Sequence, residues 1–193
     1  MPAEPVALAL EIASVLDQLG IPYVVGGSVA SSIAGEPRAT GDVDIAVRLQ
    51  RQDVDRLISR LGSEYYVTRE AALEAVERRA SFNLVHLETI QKVDLFVLGE
   101  GLLDRRQIER RRRVVVSESP HRELWVGSAE DQVLRKLAWY RAGGEVSDRQ
   151  WRDVLGILAV QADRLDRLDL AQTAAELGLS ELLERAVVDA GIG

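Results

Sequence analysis

The stretch Val24–Val47, VVGGSVASSIAGEPRATGDVDIAV, decides how this chain is read. An apolar run ends in Gly26–Gly27, Ser28 opens a short helical pattern, residues 36–41 form a loop, and Asp42-Val43-Asp44 starts a second apolar run. Carboxylates are disfavoured in strands, so two of them at the head of one need a reason. Strand side chains alternate, which puts Asp42, Asp44 and Ala46 on one face and Val43, Ile45 and Val47 on the other, the core face. The two carboxylates then project side by side, roughly 7 Å apart at the backbone by strand rise. Like charges at that spacing oppose each other unless a cation sits between them. A Mg²⁺ ion meets the need, since it takes a few carboxylates and otherwise keeps water or phosphate.

The run KVDLFVL repeats the pattern: Val93, Leu95 and Val97 face one way, Lys92, Asp94 and Phe96 the other. Laid beside the first strand, Asp94 becomes a third carboxylate. Three carboxylates on adjacent strands can hold two divalent ions, which clamp the attacking and leaving oxygens of a phosphoryl displacement. Gly26 and Gly27 supply the other half of such a site. Backbone N–H groups at a helix start favour anions, and glycine admits a phosphate closely. The pattern is neither the Walker loop nor the dinucleotide G-x-G-x-x-G. Each piece also has a structural reading: a turn at the glycines, an Asx turn at Asp-x-Asp, a Lys92–Asp94 ion pair. Together, in this order and on these faces, they favour the functional one.

Composition narrows the chemistry. The chain of 193 residues is long enough for one buried core with a helical appendage. There is no cysteine, and only His86 and His121 could offer imidazole, so any metal is held by oxygen, as Mg²⁺ or Mn²⁺. The N-terminal stretch lacks a basic segment and carries Glu4, Glu11 and Asp17, unlike a signal peptide. No run approaches the roughly 18 apolar residues of a membrane span, and the expected compartment is the cytoplasm. Net charge is −7, yet six arginines fall between Arg105 and Arg113. That run reads as a solvated helix face paired with Asp104 and Glu109, or as a grip on an RNA acceptor; the first is favoured. Of 24 basic residues only Lys92 and Lys136 are lysines, which suggests sites that want a compact point charge. Trp125, Trp139 and Trp151 read as core or helix-packing aromatics, His86 as a partly buried strand residue and His121 as an exposed loop residue.

Helical spacing runs over residues 5–19, with Gly20 as C-cap. Short strands follow at IPYVVGG, DVDIAVRL and YYVT, interleaved with helices at SVASSIAGE (Ser28 as N-cap), RQDVDRLISRLGS and REAALEAVERRA. FNLVHL and KVDLFVL form a hairpin joined by ETIQ. GLLDRRQIERR is a helix, RVVVS and ELWVG are β-like, and the rest is helical from SAEDQVLRKLAWYRAGG, where Ser128 and Asp131 sit as a reciprocal cap. The predicted organisation is an α/β core over 1–127 and a helical region over 128–193.

These residues resemble the nucleotidyltransferase superfamily of DNA polymerase β type: Gly26-Gly27-Ser28 at a helix start, Asp42-Val43-Asp44 on the next strand, Asp94 on a later one. The longer string is similar to a narrower branch, small bacterial proteins related to abortive-infection type IV toxin nucleotidyltransferases. The resemblance there rests on Gly35, Pro37, Arg38, Thr40, Asp42 and Asp44, on Ser128, Glu130, Asp131, Lys136 and Leu137, and on WRDVLGIL with Asp153. It covers roughly residues 20–160. It implies an α+β nucleotidyltransferase fold, a small mixed sheet flanked by helices whose C-terminal helical region closes a nucleotide cleft. The implied activity is Mg²⁺-dependent transfer of a nucleoside monophosphate from an NTP to an acceptor, with release of pyrophosphate. Asp42 and Asp44 would bind both ions, and Asp94 would complete the catalytic metal site and take the acceptor's proton. Gly26, Gly27 and Ser28 would hold the β- and γ-phosphates, and Lys136 would reach the triphosphate. Arg38 and Thr40 would order the loop or touch the triphosphate, unless Arg38 serves a structural ion pair with Glu36 or an aspartate. The implied partners are the NTP, an RNA acceptor such as a tRNA, and a cognate antitoxin protein. Two other readings stand beside the enzyme: a nucleotide-binding regulatory module without turnover, and the toxin component of a toxin–antitoxin pair.

Overall fold

The computed structural model describes residues 4–34 and 43–192. Asp42, Arg38 and Thr40 lie outside the described residues, as do the Ser28 side chain and the loop at residues 36–41. The architecture is α+β. The described elements are α1 (Glu4–Leu19), β1 (Tyr23–Val25), α2 (Gly27–Ala34), β2 (Val43–Val47), α3 (Val54–Leu61), β3 (Tyr65–Tyr66), α4 (Arg69–Arg78), β4 (Ser81–His86), β5 (Lys92–Val97), α5 (Leu102–Glu109), β6 (Arg112–Glu118), β7 (His121–Val126), α6 (Ala129–Ala142), α7 (Asp148–Gln161), α8 (Arg167–Glu176) and α9 (Ser180–Asp189).

They fall into two compact units, Met1–Val29 with Ala39–Val126, and Ala30–Arg38 with Gly127–Gly193. The first holds a mixed seven-stranded sheet in the order β3-β4-β5-β2-β1-β7-β6. β2 sits near its middle, antiparallel to β1 and parallel to β5. One side chain in two along β2 and β5 is buried, and Val43, Ile45, Val47, Val93, Leu95 and Val97 form the core face. Helices α1 and α3 pack against each other, α1 also against β2, and they bring Leu8, Ile12 and Leu16, with Leu57 and Leu61, into that core. Helix α1 stops at Gly20, whose φ of +68° suits glycine and lets the Ile21 N–H bond back to the Leu16 carbonyl at 2.9 Å.

The second unit is helical. Val133, Leu134 and Leu137 of α6 meet Val154, Ile157 and Leu158 of α7, and α9 adds Leu182, Leu183 and Ala186. Ser128 caps α6, its Oγ accepting from the Asp131 N–H at 3.1 Å, and Ser147 caps α7 in the same way.

Three expectations are corrected. Helix α2 begins at Gly27, so Ser28 lies in its first turn and is not the N-cap. His121 opens β7 and is not a loop residue. The arginine run is not one helix face: α5 ends at Glu109, Arg110 is its C-cap, and Arg112 and Arg113 belong to β6. The ETIQ hairpin is as read, with β4 and β5 antiparallel.

Candidate functional site

The parallel pairing of β2 with β5 puts Asp44 directly opposite Asp94. Register partners on neighbouring strands share a face, and strand spacing sets their backbones about 4.8 Å apart. Both side chains lie on the face opposite the valine, isoleucine and leucine rows, and both residues are half-buried. Two carboxylates are thus juxtaposed in the middle of a sheet, where like charges destabilise. The sequence placed Asp94 on the right face; the register is what brings it to Asp44.

The glycine pair meets the same strand. The Gly26 N–H donates to the Asp44 carbonyl at 2.8 Å. Gly27 has a φ of +55°, and a Cβ built on it would lie 1.7 Å from Asp44 Oδ2. The Asp44 carboxylate therefore rests on the bare backbone of Gly27, in the space where any other residue would carry a side chain. The start of α2 and the carboxylate pair are one constellation.

Asp94 has a cation beside it. Lys92 Nζ lies 2.9 Å from Asp94 Oδ1, two residues away on the same face, and its side chain is 44% exposed against 22% for Asp94. The contact is an ion pair that puts the Lys92 ammonium directly on Asp94 Oδ1. On the other side of Asp94, β4 places Asn83 as its register partner.

Lys136 belongs to the second unit. Its Nζ donates to Asp153 Oδ2 at 2.8 Å, and the two side chains are 6% and 8% exposed. The buried Glu130 nearby in sequence accepts from the Asp166 N–H at 3.0 Å.

Among the described residues no group of three His, Cys, Asp or Glu side chains is placed to hold a metal ion; Asp42, the third carboxylate of the expected set, is not among them. The donors that are described suit a hard divalent cation. They are carboxylate oxygens only, on register partners that share one face of the sheet. Also among the described residues, no helix is long and apolar enough to cross a membrane.

Sequence reasoning missed a second group. Trp125 does not sit in the core: the guanidinium of Arg111 lies 4.7 Å and that of Arg113 4.6 Å from its ring centroid. Arg113 is the register partner of Trp125 across β6–β7. Arg48 continues the alternation of Asp44 and Ala46 past the end of β2, a signal the sequence did carry. Trp151 is a helix-packing aromatic as read, stacked with Tyr140 at 5.1 Å, whereas Trp139 is 41% exposed.

No family model and no curated protein matches the chain. Solved structures share its fold. An antigenic nucleotidyltransferase-like protein from Paracoccidioides brasiliensis aligns with a TM-score of 0.58 and 18% identity over 97% of this chain and 91% of its own. The antibiotic-resistance factor ANT(2'')-Ia aligns with a TM-score of 0.53 and 13% identity over 98% of this chain and 94% of its own. What the chain shares with these two proteins is the fold, a mixed sheet flanked by helices with a C-terminal helical region.

Proposed function

We propose that this chain is a Mg²⁺-dependent nucleotidyltransferase that moves a nucleoside monophosphate from an NTP to a hydroxyl acceptor. The observation that carries the reading is the Asp44–Asp94 register pair seated against Gly27 at the start of α2. A carboxylate pair beside a glycine-opened helix offers a divalent cation and a triphosphate adjacent places. Asp42, Asp44 and Asp94 would hold the metal, which lowers the cost of charge on the triphosphate oxygens. Gly26, Gly27 and Ser28 would receive the phosphates, and the motif resemblance adds Arg38, Thr40 and Lys136 as nucleotide contacts. In the reaction the acceptor oxygen bonds to the α-phosphorus, the bond to the β-phosphate oxygen breaks, and pyrophosphate leaves. The acceptor's proton passes to Asp94.

The finer assignment, a toxin-like branch acting on RNA such as tRNA and neutralised by a cognate antitoxin in the cytoplasm, rests on the motif resemblance alone. A second reading has one observation in its favour. Lys92 already places a positive charge 2.9 Å from Asp94, as a nucleotide-binding module without turnover would tolerate.

The test is a labelled-NTP screen with Mg²⁺ against bulk tRNA, protein and small-molecule acceptors. Transfer that vanishes with Asp42→Ala plus Asp44→Ala supports the enzyme. Labelling that persists in that variant rejects the metal assignment, and tight NTP binding with no transfer to any acceptor favours the second reading.

A further inference from the structure

The arginine run, once divided between α5 and β6, leaves a concentration of positive charge that the carboxylate site does not use. Arg111 and Arg113 both lie against the Trp125 ring, at 4.7 and 4.6 Å. Their guanidinium carbons are therefore no farther apart than those two distances laid end to end. Two carboxylates approach the group, and both go to Arg113: Glu123 at 3.6 Å and Asp17 at 4.0 Å. Asp17 is further engaged by the Tyr23 hydroxyl, which donates to it at 3.3 Å.

Among the described residues neither Arg111 nor Arg48 makes an ion pair with a carboxylate within 4 Å. Nε and Nη1 of Arg111 are buried without a hydrogen-bond acceptor, and Nη2 lies outside that buried set. Among the described residues Arg48, half-buried at the end of β2, makes no side-chain hydrogen bond or ion pair. Burial above all, and after it the like charges of Arg113 and Arg48, pull the Arg111 guanidinium below the usual range, against Tyr23 and Asp17, which act the other way. Three gathered guanidinium groups with two carboxylates, in a chain of net charge −7, form a local excess that folding alone does not reward.

We propose that Arg111 and Arg113, held against Trp125, form with Arg48, which follows β2, a binding site for a phosphate group. Phosphate suits the group better than carboxylate does. It offers oxygens in several directions to more than one guanidinium fork, and its charge matches more than one cation. The Trp125 ring holds two of the arginines by cation–π contact, which keeps their forks ordered before the anion arrives. Trp125 lies on β7, two strands from β2 in the sheet order, while Arg48 follows the end of β2.

The test follows Trp125 emission in a Trp139→Phe, Trp151→Phe background, in EDTA so that no divalent ion bridges phosphate to Asp44 or Asp94. Inorganic phosphate, ATP and a short single-stranded RNA without terminal phosphates are titrated separately. The expected result is a saturable change with a phosphate-bearing ligand, weakened about tenfold or more by Arg48→Gln and by Arg111→Gln, as befits loss of a charge-assisted contact. Arg48→Gln removes no stacking on Trp125 and remains informative if Arg111→Gln fails to fold. RNA binding much tighter than inorganic phosphate identifies a phosphodiester strand as the source; equal affinity, or preference for ATP, identifies a free or nucleotide phosphate. No response to any of the three at millimolar concentration overturns the proposal. So does unchanged affinity in Arg48→Gln, or equal binding of an oligoglutamate peptide, which would mark a carboxylate-bearing protein partner instead.

Discussion

The carboxylate of Asp44 occupies the space that a side chain on Gly27 would fill, with Oδ2 1.7 Å from the position of a Cβ. Neither residue can change independently. Gly27→Ala is expected to force Asp44 off its perch and to cost about 1–2 kcal/mol from the positive φ alone. Gly26→Ala is the control, since its Cβ would meet only the Asp44 carbonyl at an ordinary 3.8 Å. Urea denaturation should separate the two variants, and nucleotide transfer should be lost in the first.

Because Asp44 and Asp94 are register partners, a divalent cation should stabilise the fold by binding between like charges. At an Mg²⁺ concentration 100 times Kd the gain is about 2.7 kcal/mol. Thermal unfolding with and without Mg²⁺ checks this: the Tm of the wild type should rise, and that of Asp44→Asn plus Asp94→Asn should not. Without metal, Asp44→Asn alone should be neutral or stabilising by up to about 1 kcal/mol, because it removes a like-charge pair from the sheet.

Period-two alternation made the faces of β2 and β5 legible, since a core face of Val43, Ile45 and Val47 leaves only one side for Asp44. The pairing of Asp44 with Asp94 was legible only on the condition that the two strands lie side by side, because parallel register is fixed by packing between strands distant in the chain. The arginine run was legible as charge but not as shape. Its division at Glu109 goes with the stacking of Arg111 and Arg113 on Trp125, a contact between residues that no local pattern joins. Lys136 stood out as one of two lysines, yet its partner Asp153 sits on the next helix.

That partnership predicts an asymmetry. Lys136 and Asp153 are 6% and 8% exposed, so Asp153→Ala leaves a buried ammonium without its closest counter-charge and should cost about 3–5 kcal/mol. Replacing both, Lys136→Met with Asp153→Leu, should recover most of that loss. Chemical denaturation of the three proteins measures it. NTP affinity of the double variant decides separately whether Lys136 also serves the nucleotide: a fold of near-native stability that binds NTP as the wild type does would make the pair purely structural.

The stability of the sheet unit should fall at alkaline pH through two buried phenols. Tyr65 donates to Glu11 at 2.7 Å and Tyr23 to Asp17 at 3.3 Å. Burial first, and the adjacent carboxylates second, push both hydroxyls well above the usual tyrosine range. A proton held more tightly in the folded state contributes stability that is complete below the unfolded value, near pH 10, and is lost as pH rises from there towards the folded value. Each phenol should then steepen the decline by about 1.4 kcal/mol per pH unit. Tyr65→Phe should remove its share of that slope above pH ~10, leaving the neutral-pH stability lower by about 1 kcal/mol for the lost hydrogen bond to Glu11. Denaturant midpoints measured across the alkaline range check both parts, and an unchanged slope in Tyr65→Phe would show that its proton is released without resistance from the fold.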